Sequence, residues 1–286
     1  MFFLTVSGVI SKIQHSTAFG ALTVKFNAFG VDHSLLLMKN NFLGNNFKAF
    51  HIDENNVIEQ KVFHDCYYVG ESAAFRSCEG LSGHFFSTDL NTTILIEPIN
   101  GGLFNISKNA TIFGNNWCST VHNSSSSVPP PSAITLENMV FKRGTSGAIV
   151  ELLVLGDDGL FHKYGNNTVQ HVLDVVNVAS SIYKSNSFLG GMQLSVSLSA
   201  VITFNQPVIF DYEQDNVLNQ LVSFISDLFS GTKNYFNGSR FDYIRNVDHV
   251  TFLTAKSMYS SSGYGNDLTI GIADMVTLIN LDFNVQ

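Results

Sequence analysis

The run Val150-Glu151-Leu152-Leu153-Val154-Leu155 decides the fold of the second half of the chain. It is short and mostly apolar, which is typical of a buried strand. A helix is predicted next, over residues 167–183, because apolar residues recur there with a period of about 3.6. The apolar stripe of this helix consists of Val169, Val172, Leu173, Val176, Ala179 and Tyr183.

The rest of the second half continues this alternation of strands and helices. Apolar and polar residues alternate over residues 192–202, which predicts a half-buried strand. Asp215 is a suitable cap for a second helix over residues 215–229, which ends before Gly231. Two further strands are predicted, His249–Leu253 and the run from Leu268 to Val276. The order β-α-β-α-β-β predicts a mainly parallel sheet with helices packed on it.

The first half has a different pattern and is predicted to be β-rich. Short strands are expected near residues 21–26, 34–38, 63–68, 84–86 and 93–98, and no helical period is visible before residue 123. The run from Asn123 to Pro131 is rich in Ser and Pro and favours an extended linker. The sequence therefore predicts a β domain at residues 1–122, a linker at 123–148 and a second domain at 149–286.

Composition excludes several functional classes. The chain has 286 residues, of which only 13% are charged, and its net charge is -8. An acidic chain offers no basic surface for phosphates, so nucleic acid is not an expected partner. No apolar run approaches the length of about 18 residues that predicts a membrane span. The N-terminus lacks a basic region and a clear cleavage site, so a signal peptide is not visible and the natural start is expected upstream.

Cysteines and glycosylation sequons suggest an extracellular protein. Of the three cysteines, Cys66 and Cys78 are close enough in sequence to close a local loop, which leaves Cys118 over. Six N-x-S/T sequons crowd mainly into residues 91–123, which favours glycosylation of a secreted chain. They lie at Asn91, Asn105, Asn109, Asn123, Asn166 and Asn237.

An ordered set of short motifs runs along the chain. The first half contains Cys66-Tyr67-Tyr68-Val69-Gly70, Cys78-Glu79-Gly80-Leu81-Ser82-Gly83 and Ile96-Glu97-Pro98. The second half contains the Val150 run with Asp157, the helix around Val176-Asn177, Asp248-His249-Val250-Thr251-Phe252-Leu253-Thr254 and Ile270-Gly271-Ile272-Ala273. In this order the motifs resemble the prodomain and then the catalytic domain of the reprolysin-type zinc metalloproteases, the ADAM and ADAMTS proteins. The resemblance implies an α+β or α/β fold: a β-rich prodomain, then the upper subdomain of a metzincin-like catalytic domain, a mixed twisted sheet with two packed helices.

The zinc motif of that family, H-E-x-x-H-x-x-G-x-x-H, does not occur in these residues. None of the nine histidines is followed by Glu, and no two lie four positions apart. Zinc is therefore expected only in a full-length protein, and the chain by itself is expected to be inactive. The simplest interpretation is a sequence that stops before the zinc helix.

Two acidic residues match calcium ligands of the family. Glu151 lies within an apolar strand, and buried carboxylates are rare unless they are paired or bind a metal. By resemblance, Glu151 and Asp248 would bind calcium, which prefers oxygen ligands. The alternative is that both are hydrogen-bonded structural acids.

Other family features have weaker support in the residues. Cys118 would be a cysteine switch, in which a thiolate occupies the open position of zinc. Because no Gly follows it, the alternative is a spare thiol or a cysteine that pairs with another chain. Lys142-Arg143 is either a convertase cleavage site or part of an exposed linker. A Cys66–Cys78 disulfide is expected in secreted material, the alternative being two reduced thiols.

Two functions follow as expectations. The first is the zymogen portion of a secreted zinc endopeptidase, which cleaves extracellular or matrix proteins and binds them along the edge strand from Leu268 to Val276. The second is a non-catalytic secreted protein whose prodomain-like part binds or inhibits a partner. The substrate, the ancillary domains and the choice between ADAM and ADAMTS stay open.

Overall fold

The computed structural model describes most of the chain outside residues 110–147 and 257–274. The described residues are 6–11, 13–18, 20–53, 56–60, 62, 66–70, 72–78, 80–99, 102–109, 148–184, 194–212, 214–256 and 275–276. Contacts divide the chain into two compact units. The first comprises Met1–Lys39, Tyr68–Ala148 and Ser181–Leu194, and the second comprises Asn40–Tyr67, Ile149–Ser180 and Ser195–Gln286.

The first unit is built on a nine-stranded sheet with the order β1-β11-β10-β9-β8-β7-β4-β3-β2. Its strands are β1 (Val6–Ser11), β2 (Gln14–Ala18), β3 (Ala21–Ala28), β4 (Val31–Lys39), β7 (Tyr67–Gly70), β8 (Ala73–Arg76), β9 (Ser82–Ser87), β10 (Thr92–Ile99) and β11 (Leu103–Asn109). Alternating side chains of these strands form one apolar core that includes Leu22, Val24, Phe75, Ile94 and Ile106. The predicted β character of residues 21–26, 34–38, 84–86 and 93–98 is confirmed.

Close backbone packing explains one glycine of this sheet. Gly83 in β9 pairs with Phe75 in β8 and has φ +156°. A Cβ at Gly83 would lie 2.3 Å from the carbonyl oxygen of Ala74, so no other residue fits without a shift of the backbone.

The disulfide expected between Cys66 and Cys78 is present. The two cysteines precede β7 and follow β8, so the bond closes a short loop around these two strands. Closing a loop of this length restricts the unfolded chain and contributes about 3 kcal/mol in the loop-entropy model, against about 4.7 kcal/mol for a loop of 100 residues.

The second unit combines a six-stranded sheet with four helices. The sheet order is β15-β14-β12-β13-β5-β6. The strands are β5 (Leu43–Asp53), β6 (Asn56–Gln60), β12 (Ala148–Gly156), β13 (Leu194–Phe204), β14 (His249–Leu253) and β15 (Met275–Val276). The helices are α1 (Asp158–Tyr164), α2 (Thr168–Lys184), α3 (Gln214–Phe229) and α4 (Asp242–Arg245). The predicted strands at 150–155 and 249–253 and both predicted helices are confirmed, but α3 begins at Gln214, so Asp215 lies within the helix and is not its cap.

The pairing in this sheet is mixed rather than mainly parallel. β12 pairs parallel with β14 and β13 pairs parallel with β5, whereas β15 and β6 are antiparallel to their neighbours. Apolar residues of the sheet and of α3 share one core, which includes Phe50, Leu153, Ile202, Leu221 and Phe252. The coarse expectation of an α+β protein with a mixed sheet is therefore confirmed.

The division of the chain differs from the one drawn at residues 122 and 149. That boundary assigns residues 40–67 to the N-terminal domain, but β5 and β6 belong to the sheet of the second unit. The physical reason is that β12 lies on only one side of β13, and β5 supplies the backbone hydrogen bonds on the other side. Among the described residues, no helix has the length and apolar composition needed to cross a membrane.

We expect the stability of the first unit to depend on pH, because one of its histidines is largely shielded from water. Burial lowers the pKa of His84 in β9 from 6.5 to about 4. The unfolded chain therefore binds a proton that the folded chain does not, and the free energy of unfolding should fall as the pH drops from about 6.5 to about 4. We expect His84→Gln to flatten this slope, measured by urea unfolding at several pH values. An unchanged slope in the variant would contradict the assignment.

Candidate functional site

The two acids predicted to bind calcium lie side by side where β12 and β14 begin to pair. The backbone N–H of Glu151 donates to Oδ2 of Asp248 over 2.9 Å. The backbone N–H of Asp248 donates to the carbonyl oxygen of Glu151 over 3.0 Å. Pairing then continues from Leu152 and His249 onward. We call Glu151 and Asp248 the acidic pair.

The expected burial of Glu151 is wrong. Glu151 and Asp248 are both exposed. The continuous buried run of β12 begins at Leu153, whereas Ile149 and Glu151 are exposed and Val150 and Leu152 are half-buried. The carboxylate of Glu151 therefore needs no metal to offset a cost of burial, and only its position beside Asp248 supports a calcium site.

A second polar group lies at the carboxyl ends of the same strands, and the two acids at its centre are buried and hydrogen-bonded. Asp157 follows β12, is 0% exposed and caps α1 by accepting from the backbone N–H of Leu160 over 2.8 Å. Its other oxygen accepts from the hydroxyl of Tyr212 over 2.7 Å and from the hydroxyl of Thr254 over 2.6 Å. Asp157 thus joins the ends of β12 and β14 to the segment before α3.

The neighbouring Asp158 continues this group through an ion pair. The ammonium of Lys256 donates to its two carboxylate oxygens over 2.8 and 2.7 Å. The Lys256 ammonium also lies 5.0 Å from the centroid of the Tyr212 ring. Burial and the hydrogen bond to Asp157 raise the pKa of Tyr212 well above its usual value, so its hydroxyl stays a donor. We call Asp157, Asp158, Tyr212, Thr254 and Lys256 the carboxyl-end network.

The position of this network in the sheet is the one where open α/β sheets form their crevices. The chain leaves β12 toward β13 on one side, and leaves β14 toward β15 on the other. Adjacent strands whose connections diverge open a crevice at their carboxyl ends. The carboxyl-end network lies at this point and ties down the segment that follows β14.

The chemistry available to the two groups differs. The acidic pair offers carboxylate oxygens to solvent, the ligand type that calcium prefers, but calcium takes about six to eight oxygens. The acids of the carboxyl-end network are already occupied by internal donors, so the network positions the backbone. In the described part of the chain, no group of three or more His, Cys, Asp or Glu residues could hold a metal ion. The histidines there do not fit a zinc triad.

Comparison with known proteins adds no family to these observations. No protein-family model matches the chain, and no curated protein matches it significantly. The resemblance to reprolysin-type metalloproteases therefore stays a prediction that rests on the quoted residues.

Several predicted site residues lie outside the described residues. These are Cys118, Lys142, Arg143 and Asn123. The predicted edge strand is described only at Met275–Val276, which pair antiparallel with Thr251 and Val250. Within the described residues this short strand forms one end of the six-stranded sheet, as the prediction requires.

The remaining sequons occupy different surroundings. Asn91, Asn166 and Asn237 are exposed, and Asn91 lies in the turn before β10 with φ 46°. Asn105 is half-buried within β11, and Asn109 ends that strand. The three exposed residues offer their side chains to modification, and glycosylation at all of the sequons stays a prediction.

The carboxyl-end network was not predicted from the sequence. One local signal was available, since Asp157 directly precedes a helix and Asp is a preferred N-cap. Tyr212, Thr254 and Lys256 carry no such signal, because their partners are more than fifty residues away along the chain.

Proposed function

We propose that the chain is the N-terminal, zymogen portion of a secreted zinc-dependent metalloendopeptidase that cleaves extracellular or matrix proteins. In this proposal the first unit belongs to the prodomain, and the strands from β12 onward belong to the upper subdomain of the catalytic domain. The zinc-binding helix would follow residue 286 in the full-length protein.

The observation that carries the proposal is the arrangement of β12, β14 and β15. The parallel pair β12 and β14 is bordered by an antiparallel strand at the end of the sheet. An antiparallel edge of this kind is suited to pairing with an extended peptide through backbone hydrogen bonds. The carboxyl-end network supports the same region, because it fixes the chain directly after β14.

The disulfide supports the secreted part of the proposal. Disulfides form and persist mainly in oxidising compartments, and the Cys66–Cys78 bond is consistent with an extracellular protein.

Zinc chemistry is not assigned to any residue of this chain. The motif that would bind the metal and supply the general base is absent from the 286 residues. Purified protein of this sequence is therefore expected to hold no stoichiometric zinc and to show no peptidase activity. Tightly held zinc at one ion per chain would refute this part of the proposal.

The transcript downstream of the codon for Gln286 gives the decisive test. A reading frame that continues into H-E-x-x-H, with a third His six residues later, supports the zymogen. A stop codon at that position favours the alternative, a non-catalytic secreted protein that binds or inhibits a partner.

Calcium binding at the acidic pair is a separate prediction. At a calcium concentration about 100-fold above Kd, binding adds about 2.7 kcal/mol to the free energy of unfolding. For a protein of this size we expect a rise in Tm of roughly 5–10 °C. Asp248→Asn should abolish the rise, because the amide keeps an acceptor for Glu151 N–H but loses the charge.

The matched control for this experiment is Asp242→Asn. Asp242 is an exposed acid in the first turn of α4, and no side-chain cap bond is formed there. The control should respond to calcium as the unmodified protein does. If Asp248→Asn retains the full calcium response, the acidic pair is not the site.

A further inference from the structure

The outer edge of β13 binds a strand that comes from far away in the sequence. β5 runs parallel to β13, with five consecutive pairs from Lys48↔Ala200 to Ile52↔Phe204. An additional pair, Leu43↔Leu198, lies beyond a break in register. The N–H of Leu198 also donates to the carbonyl oxygen of Phe42 over 2.6 Å. The backbone pairing of β13 on this side is therefore supplied by the N-terminal part of the chain.

Apolar side chains of β5 complete the core of the second unit. Phe50 and Ile52 are 3% and 5% exposed and belong to the same cluster as Leu153, Ile202 and Leu221. The ring of Phe50 makes edge contacts with the rings of Phe236 and Phe241, at centroid distances of 5.1 and 6.1 Å. β5 and β6 form an antiparallel hairpin. Its apolar side chains fill the space between the sheet and the segment around α4.

Polar contacts fix the register of β5 on β13. Nδ1 of His51 lies 3.0 Å from Oγ1 of Thr203, and the imidazole stacks on the ring of Phe161 in α1 at 4.4 Å. At the end of the strand the side-chain amide of Asn205 donates to Asp53. A shift of one residue would break these contacts and turn Phe50 away from the core.

The ends of the same segment are anchored on α2. The amide of Asn40 donates to Oδ1 of Asn177 over 2.8 Å, and both residues are buried. The amide of Gln170 donates to the hydroxyl of Tyr67 over 2.9 Å. The whole stretch Asn40–Tyr67 therefore belongs to the second unit by contact, although about eighty residues separate it from β12.

We propose that the outer edge of β13 is a strand-binding site whose ligand is the β5–β6 hairpin, and that it holds the hairpin without a peptide bond between the two. The proposal requires only the pairing and packing described above. It does not depend on whether the chain is a protease zymogen.

The test cuts the full chain between the hairpin and β13. The recognition sequence of a site-specific protease is placed between Ser125 and Ser126, and the folded protein is cleaved. All three cysteines precede residue 122, so no disulfide can join the two products. We expect the products to separate on a denaturing gel but to elute together on gel filtration. Separation of the unmodified products on gel filtration would overturn the proposal.

Two variants locate the binding to the hairpin. After cleavage, Phe50→Ala should raise the Kd between the two products about a hundredfold or more, since it removes a buried ring from the core. His51→Ala should raise this Kd about tenfold, because it removes the contacts with Thr203 and Phe161. Glu59→Gln is the matched control, since this residue of β6 is exposed and its carboxylate forms an ion pair with Lys48 of the same hairpin.

Each outcome bears on the proposal. Cooperative thermal unfolding of the uncut variants shows that they are folded before cleavage. If the Phe50→Ala variant is unfolded before cleavage, the behaviour of the cleaved His51→Ala variant on gel filtration tests the proposal instead. Retention that is unchanged in a folded Phe50→Ala or His51→Ala variant would place the binding elsewhere in the chain and refute the proposal.

Discussion

Residues 149–286, expressed without the N-terminal part, should be recovered mainly as aggregated protein. This fragment keeps β13 but lacks β5 and β6, so an apolar strand becomes the edge of the sheet. Exposed apolar edges of this kind promote association between chains. Loss of Phe50 and Ile52 from the core also removes about 1.5–3 kcal/mol per side chain, a large share of a typical stability of about 5–15 kcal/mol.

Co-expression provides the control for this prediction. Residues 1–148 supplied as a second chain should restore soluble protein, whereas the same residues carrying Phe50→Asp should restore much less. The measurement is the soluble fraction together with the elution volume on gel filtration. A monomeric fragment 149–286 that unfolds cooperatively would show that the hairpin is dispensable, and would favour the non-catalytic alternative.

Asp157→Ala should lower the free energy of unfolding by about 3–5 kcal/mol. The substitution leaves three donors without their acceptor: the N–H of Leu160 and the hydroxyls of Tyr212 and Thr254. An unsatisfied buried donor costs about 1–3 kcal/mol, and loss of an N-cap costs about 0.5–2 kcal/mol. These costs overlap, because the Leu160 bond is itself the cap.

Urea unfolding measures this effect, with Asp242→Ala as its matched control. Asp242 is also an acid at the start of a helix, but it is exposed and makes no side-chain cap bond. Its replacement should change the free energy of unfolding by less than about 0.5 kcal/mol. Equal effects of the two substitutions would show that the carboxyl-end network contributes no more than an ordinary surface acid.

The elements that were predicted correctly carry their signal locally. The apolar stripe of α2 and the apolar run of β12 each follow from residue spacing alone, and both lie where they were expected. β5 was missed because Gly44, Asn45 and Asn46 interrupt its apolar pattern. In the structure these residues lie at the break in register between β5 and β13, where the strand bulges away from its partner.

The two candidate sites also differ in how far the sequence predicts them. Glu151 and Asp248 were identified by resemblance, and they do lie together because adjacent parallel strands bring their starting residues side by side. The carboxyl-end network depends on residues from three separate segments. No periodicity or spacing in the sequence relates Tyr212 or Thr254 to Asp157, so only the folded chain shows that they meet.

The pairing of β5 with β13 also sets a delay during synthesis. The contact between His51 and Thr203 spans 152 residues. At a ribosomal rate of about 5–20 residues per second, β5 emerges roughly 8–30 seconds before its partner. During that time Phe50 and Ile52 have no core to enter, and a nascent chain that exposes such apolar side chains is a natural client for a chaperone. Slow translation between the two strands would lengthen this interval, and faster synthesis or a hairpin placed after β13 by circular permutation would shorten it.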